Sequence, residues 1–217
     1  MVAEKETAWD CATGNGQAAV RLADHFKQVI ATDLSADQIK NGTQHPNVCY
    51  GVAPAESSGL EDDSVNLVTV AQALHWLDTH RFYREVQRVS KKHGIIAVWC
   101  YDLLLVNPEV DAVINRFYRE IMKGYWFPER QHIETGYSTL PFPFKRVETP
   151  LLAITAFWEL DAMTGYLRTW SAVHNYMKRE GEDPLNLIDS DLAAAWGNSD
   201  MVMKVSWPLV LTVGKVH

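Results

Sequence analysis

The clearest chemical pattern lies near the start of the chain, in the segment Asp10-Cys-Ala-Thr-Gly-Asn-Gly-Gln. Gly14 and Gly16 allow tight backbone conformations and let a ligand approach without a clash with Cβ. Helical spacing starts at Gln17, so the free N–H groups of a helix start would lie beside these glycines. Asp33 ends an apolar run 17 positions after Gly16, and a carboxylate there can accept hydrogen bonds from both hydroxyls of a ribose. This ordered set predicts a site for a ribose-containing cofactor.

The glycine spacing fits two kinds of cofactor. The stretch from Gly14 to Ala19 also matches the dinucleotide fingerprint with alanine in third place, which keeps an NAD(P)-dependent oxidoreductase open. Two features favour a cofactor that ends in an amino acid. Asp10 lies inside the first turn, where it could hold the loop or meet that end. The chain also has little room for a second mononucleotide-binding half after Tyr101.

The elements that position these residues alternate between strand and helix in the first half of the chain. Apolar runs predict strands at residues 7–12, 28–33, 48–52, 65–71 and 94–101, with helices at 17–26, after Ser35, and at 78–89. Ser35 and Gln38 have the spacing of a capping box. Strands that alternate with helices indicate right-handed crossovers and a largely parallel sheet, whose ligands bind beyond the carboxyl ends of the strands.

The second half of the chain has a different pattern. Asn107 and Pro108 indicate a helix start, and we expect that helix to run to about Lys123. An aromatic and proline-rich stretch follows at 125–144. Strands are predicted at 153–160 and 202–213, with helices at 162–179 and 189–196 between them. This order predicts an antiparallel edge with a helical cap, within a single domain over 1–217 that has a cofactor-binding half (1–101) and a substrate-side half (102–217).

Composition excludes several functions. The formal charge of −7 disfavours a surface that follows nucleic-acid phosphates. The longest apolar run, from Ile95 to Cys100, is too short for a bilayer, and the first residues have no secretory signal core. Three cysteines predict reduced, buried thiols rather than disulfides, and no histidine pair has the spacing of metal ligands. We therefore expect a cytoplasmic protein with a small-molecule substrate, no metal, no nucleic-acid partner and no membrane partner; the oligomeric state is left open.

From Trp9 to Tyr101 the sequence resembles class I S-adenosylmethionine-dependent methyltransferases, of the broad type that includes the ubiquinone-pathway and trans-aconitate enzymes. The motifs that carry this resemblance are Asp10-Cys-Ala-Thr-Gly-Asn-Gly, Asp33, Ala55-Glu56, Asp63-Ser-Val-Asn-Leu-Val-Thr, Ala73-Leu-His-Trp76, and Glu85-Val-Gln-Arg-Val with Gly94. Arg168-Thr-Trp-Ser-Ala172 and Trp207-Pro-Leu are similar to a subset with small carboxylic-acid substrates. The resemblance implies a Rossmann-like, mostly parallel, seven-stranded α/β sheet with helices on both faces. It also implies methyl transfer from S-adenosyl-L-methionine to a small molecule such as a carboxylic acid.

The resemblance also implies roles for individual residues. The cofactor would be held by Asp10, Ala12, Gly14, Asn15, Gly16, Asp33, Leu34, Ala55, Glu56, Gln72 and Ala73. The turn 12–16 would contact its amino-acid portion, and Asp33 would bind the ribose with Leu34 against the adenine. Ala55 and Glu56 would flank the adenine edge. Gln72 and Ala73 would line the path to the methionine moiety.

Some positions depart from the family pattern. Ala12 stands where glycine is usual, and Pro54 stands where many relatives have an aspartate that recognises adenine. Lys92-His93-Gly94 replaces the common proline-glycine-glycine turn. Relatives usually have a helix before the first strand that covers the cofactor. Here the first strand starts by about residue 7, so we expect weaker cofactor binding than in a form with a longer N-terminus.

The substrate side has candidates only. Methyl transfer mainly requires proximity and alignment, so a catalytic base is not required for an ionised carboxylate. His75 could orient the substrate or act as a base, or it could simply bond to backbone in a loop. Trp76, Tyr101 and Trp170 could line an apolar pocket or only pack, and Arg168 could bind a carboxylate or remain a solvated charge. A relative that binds the cofactor without catalysis is the remaining alternative.

Overall fold

The computed structural model describes residue 2 and residues 4–217. The chain forms two compact units. The first comprises the described residues up to Cys100, together with Thr135–Leu151 and Val210–His217. The second comprises Tyr101–Glu134 and Leu152–Leu209. Each unit therefore consists of separate stretches of sequence.

Eight strands form one sheet. They are β1 (Thr7–Cys11), β2 (Gln28–Asp33), β3 (Val48–Val52), β4 (Val65–Ala71), β5 (Ser90–Tyr101), β6 (Lys145–Val147), β7 (Leu152–Trp158) and β8 (Met203–Lys215). Their order is β3-β2-β1-β4-β5-β8-β6, and β7 also pairs with β8. The strands β1 to β5 pair in parallel, whereas β6 and β7 are antiparallel to β8. The predicted fold, a mostly parallel sheet with an antiparallel C-terminal strand, is confirmed.

The parallel strands bring the predicted cofactor residues together at the carboxyl ends of the strands. β4 is buried along nearly its whole length, as expected for a central parallel strand covered on both faces. In the register of the sheet, Cys11 pairs with Thr32 and with Val70. The carboxyl ends of β1, β2 and β4 therefore lie side by side, and the residues that follow them share one rim.

The part of the first unit that ends at Cys100 also contains three α-helices: α1 (Gln17–Leu22), α2 (Ala36–Lys40) and α3 (Thr79–Val89). The predicted N-cap of α2 is observed, since the Ser35 side chain accepts a hydrogen bond from Gln38 N. Asp78 caps α3 in the same way through Arg81 N. The first helix ends at Leu22, four residues before the predicted end.

The second unit contains five further α-helices: α4 (Pro108–Arg116), α5 (Arg130–Glu134), α6 (Leu160–Arg168), α7 (Ser171–Glu180) and α8 (Asp189–Trp196). Asn107 caps α4 through Val110 N, and the helix continues as a π-helical turn at Phe117–Ile121. The unit has its own apolar core, whose largest buried side chains include Phe117, Met163, Leu167 and Trp196.

Three expectations need correction. The sheet has eight strands rather than seven, because β6 is too short for its three residues to show a periodic pattern. The single helix predicted over 162–179 is two helices, because Trp170 has an extended backbone and its ring packs against Phe117. Cys11 and Cys100 are buried thiols as predicted, but Cys49 is exposed on β3, at the edge of the sheet.

In the part of the chain that the structure describes, no helix combines the length and the apolar character needed to span a bilayer.

Candidate functional site

The first unit contains a cavity of about 510 Å³ at the carboxyl ends of β1, β2 and β4. It is lined by Ala12, Gly14, Asp33, Leu34, Gln38, Ala53, Pro54, Ala55, Glu56, Ala71, Gln72, Ala73, Trp76 and Leu77. Eight of the eleven residues assigned to the cofactor in the sequence analysis are among them. Four separate stretches of sequence thus each contribute one wall of the cavity.

The carboxylate of Asp33 is fixed in this cavity by two backbone groups. Gly14 N donates a hydrogen bond of 2.9 Å to Oδ2, and Ser35 N donates one of 2.8 Å to Oδ1. An ionised carboxylate has about four acceptor positions, so both oxygens retain acceptor capacity. Asp33 can therefore accept hydrogen bonds from neighbouring hydroxyls of a ligand without giving up the bonds that position it.

Two large apolar side chains at the cavity are unusually exposed. Leu34 is 74% exposed and Trp76 is 55% exposed. Single exposed apolar residues are common, but these two line one cavity. They offer apolar surface to the flat and aliphatic parts of a ligand.

The charges at the cavity have one sign. Asp33 and Glu56 are its carboxylates, and none of its described lining residues is a lysine, arginine or histidine. Glu56 is itself oriented, since its Oε1 accepts a hydrogen bond of 2.9 Å from Asp78 N. Such a lining favours a cationic ligand and disfavours a pyrophosphate, because buried or half-buried charges need partners of opposite sign.

The three remaining cofactor candidates, Asp10, Asn15 and Gly16, do not line the cavity but support its first turn. Asp10 is 1% exposed; its carboxylate accepts hydrogen bonds from the hydroxyls of Thr13 and Thr69. Burial is the main cause that raises the pKa of this carboxyl group. Asp10 therefore ties Thr13 in the turn to Thr69 on β4.

Gly16 and Asn15 fix the far side of the same turn. Gly16 has φ 86°, and the Tyr50 ring covers the space where a side chain would lie. The Asn15 carbonyl accepts a hydrogen bond of 3.0 Å from Thr43 N. The turn is therefore held from both β4 and the segment before β3.

Two non-glycine residues at the cavity have left-handed backbones. Ala12 and Gln72, which directly follow β1 and β4, both have φ 53°. This conformation costs L-residues about 1–2 kcal/mol, and such strain is concentrated at functional sites. At Ala12, where the family resemblance leads us to expect glycine, the backbone thus has a conformation that suits glycine.

His75 and Trp76, predicted for the substrate side, lie in a 3₁₀ turn at Leu74–Trp76. Trp76 lines the cavity, whereas His75 is buried and does not. His75 Nδ1 lies 3.0 Å from the hydroxyl of Tyr137, with which it forms a hydrogen bond. The imidazole also packs against the Trp76 ring, at 4.7 Å between centroids.

The other substrate-side candidates, Tyr101, Arg168 and Trp170, lie in the second unit. Burial is the main cause that raises the pKa of the Tyr101 hydroxyl. The nearby Tyr166 raises this pKa further, and Arg130 lowers it. Trp170 packs against Trp126, with centroids 5.5 Å apart. Arg168 is about half exposed and pairs with Asp183, its Nε lying 2.9 Å from Oδ2.

Sequence reasoning missed Arg130 in this second unit. Its guanidinium lies 4.6 Å from the centroid of the Trp126 ring and 5.0 Å from that of Tyr118, and the side chain is only 20% exposed. Nη2 donates to Asp102 at 2.9 Å, and Nε donates to the Tyr118 hydroxyl at 2.6 Å. The only sequence signal was the aromatic stretch at 125–144, which gave no reason to single out this arginine.

Comparisons with known proteins identify the family of this chain. A family model described as a methyltransferase domain matches residues 9–98. A protein of Dictyostelium discoideum whose name assigns it to the methyltransferases is 32% identical and spans 98% of this chain and 83% of its own length. A solved structure from Anaeromyxobacter dehalogenans, described as a type II methyltransferase, is 44% identical, covers 99% of this chain and 92% of its own, and has a TM-score of 0.93. A methyltransferase structure from Bacillus halodurans, at 19% identity and TM-score 0.54, shares the fold.

The chain therefore belongs to the class I S-adenosylmethionine-dependent methyltransferases, as its sequence motifs predicted. The protein is a methyltransferase, and its family uses S-adenosylmethionine as the cofactor.

Proposed function

We propose that the cavity of the first unit binds S-adenosyl-L-methionine. The observation that carries this proposal is the charge of the lining, which has two carboxylates and, among its described residues, no cationic side chain. S-adenosylmethionine carries a positive sulfonium and an ammonium group, whereas a dinucleotide brings two phosphates that would lie among like charges. The same observation disfavours the NAD(P) alternative.

Each part of the cofactor has suitable residues in this lining. Asp33 would accept hydrogen bonds from the ribose hydroxyls, and Leu34 would pack against the adenine. The backbone near Ala55 and Glu56 would meet the adenine edge, because Pro54 lacks the carboxylate usual in relatives. The turn that starts at Ala12 would hold the amino-acid portion. When bound, the cofactor supplies a methyl carbon activated by the neighbouring positive sulfur, and the protein supplies proximity and alignment.

We propose a small molecule with a carboxylate as the methyl acceptor, and Arg130 as the residue of the second unit that binds it. Both arginines already pair with a carboxylate, Arg130 with Asp102 and Arg168 with Asp183, so pairing does not separate them. Arg130 differs because it is held on two aromatic rings and is mostly buried, whereas Arg168 is half exposed. A guanidinium suits a carboxylate because its donors match the two oxygens. The formal charge of −7 disfavours a nucleic acid as the substrate.

Calorimetric titration with S-adenosylhomocysteine, S-adenosylmethionine and NADH tests the cofactor. We expect micromolar binding of the first two and none of NADH. Asp33→Asn should weaken S-adenosylhomocysteine binding by about 1.5–3 kcal/mol, because a charged acceptor is lost. Asp37→Asn is the matched control, since Asp37 lies on exposed α2 outside the cavity. Tight NADH binding without a response to S-adenosylhomocysteine would overturn the proposal.

Methyl-transfer assays with a panel of small carboxylic acids test the acceptor. Arg130→Met should reduce turnover of the accepted acid while leaving the affinity for S-adenosylhomocysteine within about twofold, because Arg130 does not line the cofactor cavity. Arg168→Met is the comparison variant. A larger loss with Arg168→Met would return the carboxylate role to Arg168.

A further inference from the structure

Tyr137 has an uncommon backbone and a buried hydroxyl. Its φ is 62°, which is the left-handed region that bulky residues rarely adopt, and it is 6% exposed. It belongs to the stretch Thr135–Leu151, which is part of the first unit although the residues on both sides of it in sequence belong to the second. Such a conformation persists only where the surroundings require it.

The hydroxyl of Tyr137 is directed at the turn Leu74–Trp76. It forms the 3.0 Å hydrogen bond to His75 Nδ1, across 62 residues of sequence. Burial is the main cause that raises the pKa of this hydroxyl, whereas the backbone groups of Leu74 and His75 lower this pKa. The phenol therefore joins the stretch at 135–151 to the turn through the His75 side chain.

The turn in question forms one wall of the cofactor cavity. Gln72, Ala73 and Trp76 line that cavity, and the His75 ring packs on the Trp76 ring. Trp76 is half exposed. A continuous series of contacts thus runs from Tyr137 through His75 to Trp76.

We propose that Tyr137 is a positioning residue for the cofactor, which acts through His75 to hold the Trp76 side of the cavity in its binding conformation. The inference rests on the proposed cofactor site. It assigns His75 a role in positioning rather than as a base. It also makes the stretch at 135–151 part of the cofactor-binding apparatus, although no sequence motif there indicates this.

The experiment compares two tyrosine-to-phenylalanine variants by calorimetric titration with S-adenosylhomocysteine. Tyr137→Phe should weaken binding about tenfold, because it removes a buried hydrogen bond that shapes the site. Tyr83→Phe is the matched control. Tyr83 is also buried in the first unit, but its hydroxyl has no hydrogen-bond partner among the described residues. We expect its affinity to stay within about twofold of the parent protein.

A double-mutant cycle separates positioning from a general loss of stability. In a Trp76→Ala background, Tyr137→Phe should change the affinity by less than about twofold, because the residue it acts through is absent. The melting temperature should fall in both backgrounds. An equal loss of affinity in both would show a merely structural role and would overturn the inference.

His75→Phe provides a second variant if Tyr137→Phe does not fold. It keeps a ring against Trp76 but removes the bond to Tyr137, so it should show the same tenfold loss. Parent-like affinity in either Tyr137→Phe or His75→Phe would overturn the inference. A parent protein that does not bind S-adenosylhomocysteine would instead overturn the proposed function itself.

Discussion

Gly16 shows at the scale of one residue how the first turn depends on the absence of a side chain. A Cβ at this position would lie 1.9 Å from the Tyr50 hydroxyl oxygen, and the φ of 86° disfavours any L-residue. The Tyr50 hydroxyl in turn donates a 2.7 Å hydrogen bond to the Thr43 carbonyl, so the ring cannot move without losing it. The glycine is therefore required by packing as well as by backbone conformation.

We predict that Gly16→Ala lowers the free energy of unfolding by about 2–4 kcal/mol, from the cost of a left-handed alanine and of overpacking. Urea denaturation measures this. Gly51→Ala is the control, because a Cβ there meets nothing within 4 Å and its φ is not positive. A comparable loss in both variants would contradict the explanation.

Ala12 presents the opposite case, a side chain where the backbone favours none. We predict that Ala12→Gly leaves the free energy of unfolding unchanged or raises it by up to about 1 kcal/mol, since relief of strain offsets the added chain entropy. Ala19→Gly, within α1, should lower it by about 1 kcal/mol. Equal destabilisation in both would show that Ala12 is not strained.

At the scale of elements, α3 holds the loop that carries Ala55 and Glu56. Glu85 on α3 accepts hydrogen bonds from the backbone N and the hydroxyl of Ser58, at 2.7 and 2.6 Å. Arg88 donates to the same carboxylate, and this bond is the main cause that lowers the pKa of Glu85 to about 2. One buried carboxylate thus fixes the wall of the cavity that follows β3.

A pH dependence of stability follows from this carboxylate. The pKa of Glu85 in the folded protein lies below the ordinary value of 4.5. The stabilisation of the folded state by this carboxylate is therefore complete above about pH 4.5 and is lost as the pH falls towards 2. We predict that Glu85→Gln costs about 2 kcal/mol of unfolding free energy at pH 7 and that the difference from the parent protein shrinks below pH 4. Urea denaturation across pH 2–7 measures it. Glu61→Gln, at an exposed position, should give no such pH-dependent difference.

The elements also show what the sequence can predict. β2, β3 and β4 have the predicted bounds, because each is a short run of mainly apolar residues bounded by turn residues, whether it is central like β4 or at the edge like β3. β5 starts four residues early, at Ser90, which pairs with Val65 before an irregularity in the ladder. The Tyr137–His75 bond and the rings around Arg130 join residues through tertiary packing, and no local pattern announces them.

At the scale of the whole molecule, binding of a ligand by the folded state alone must raise its stability. We predict that S-adenosylhomocysteine at 100 times its dissociation constant stabilises the protein by about 2.7 kcal/mol, which corresponds to about 5–10 °C in melting temperature. Hydrogen exchange should show the added protection mainly in the first unit, around the residues that line the cavity. NADH at the same concentration should produce no shift, and an equal shift would contradict the assignment of the cofactor.

The path of the chain through the two units has a consequence for biosynthesis. The chain passes between the units four times, at the boundaries after Cys100, Glu134, Leu151 and Leu209. The sheet of the first unit includes β6 and the end of β8, so it cannot close until Lys215 has left the ribosome, after all of the second unit. A nascent chain of the first 100 residues holds every lining residue of the cavity but not Tyr137 or the final strand. Cofactor capture should therefore follow the emergence of Tyr137 and β8, rather than that of the first 100 residues.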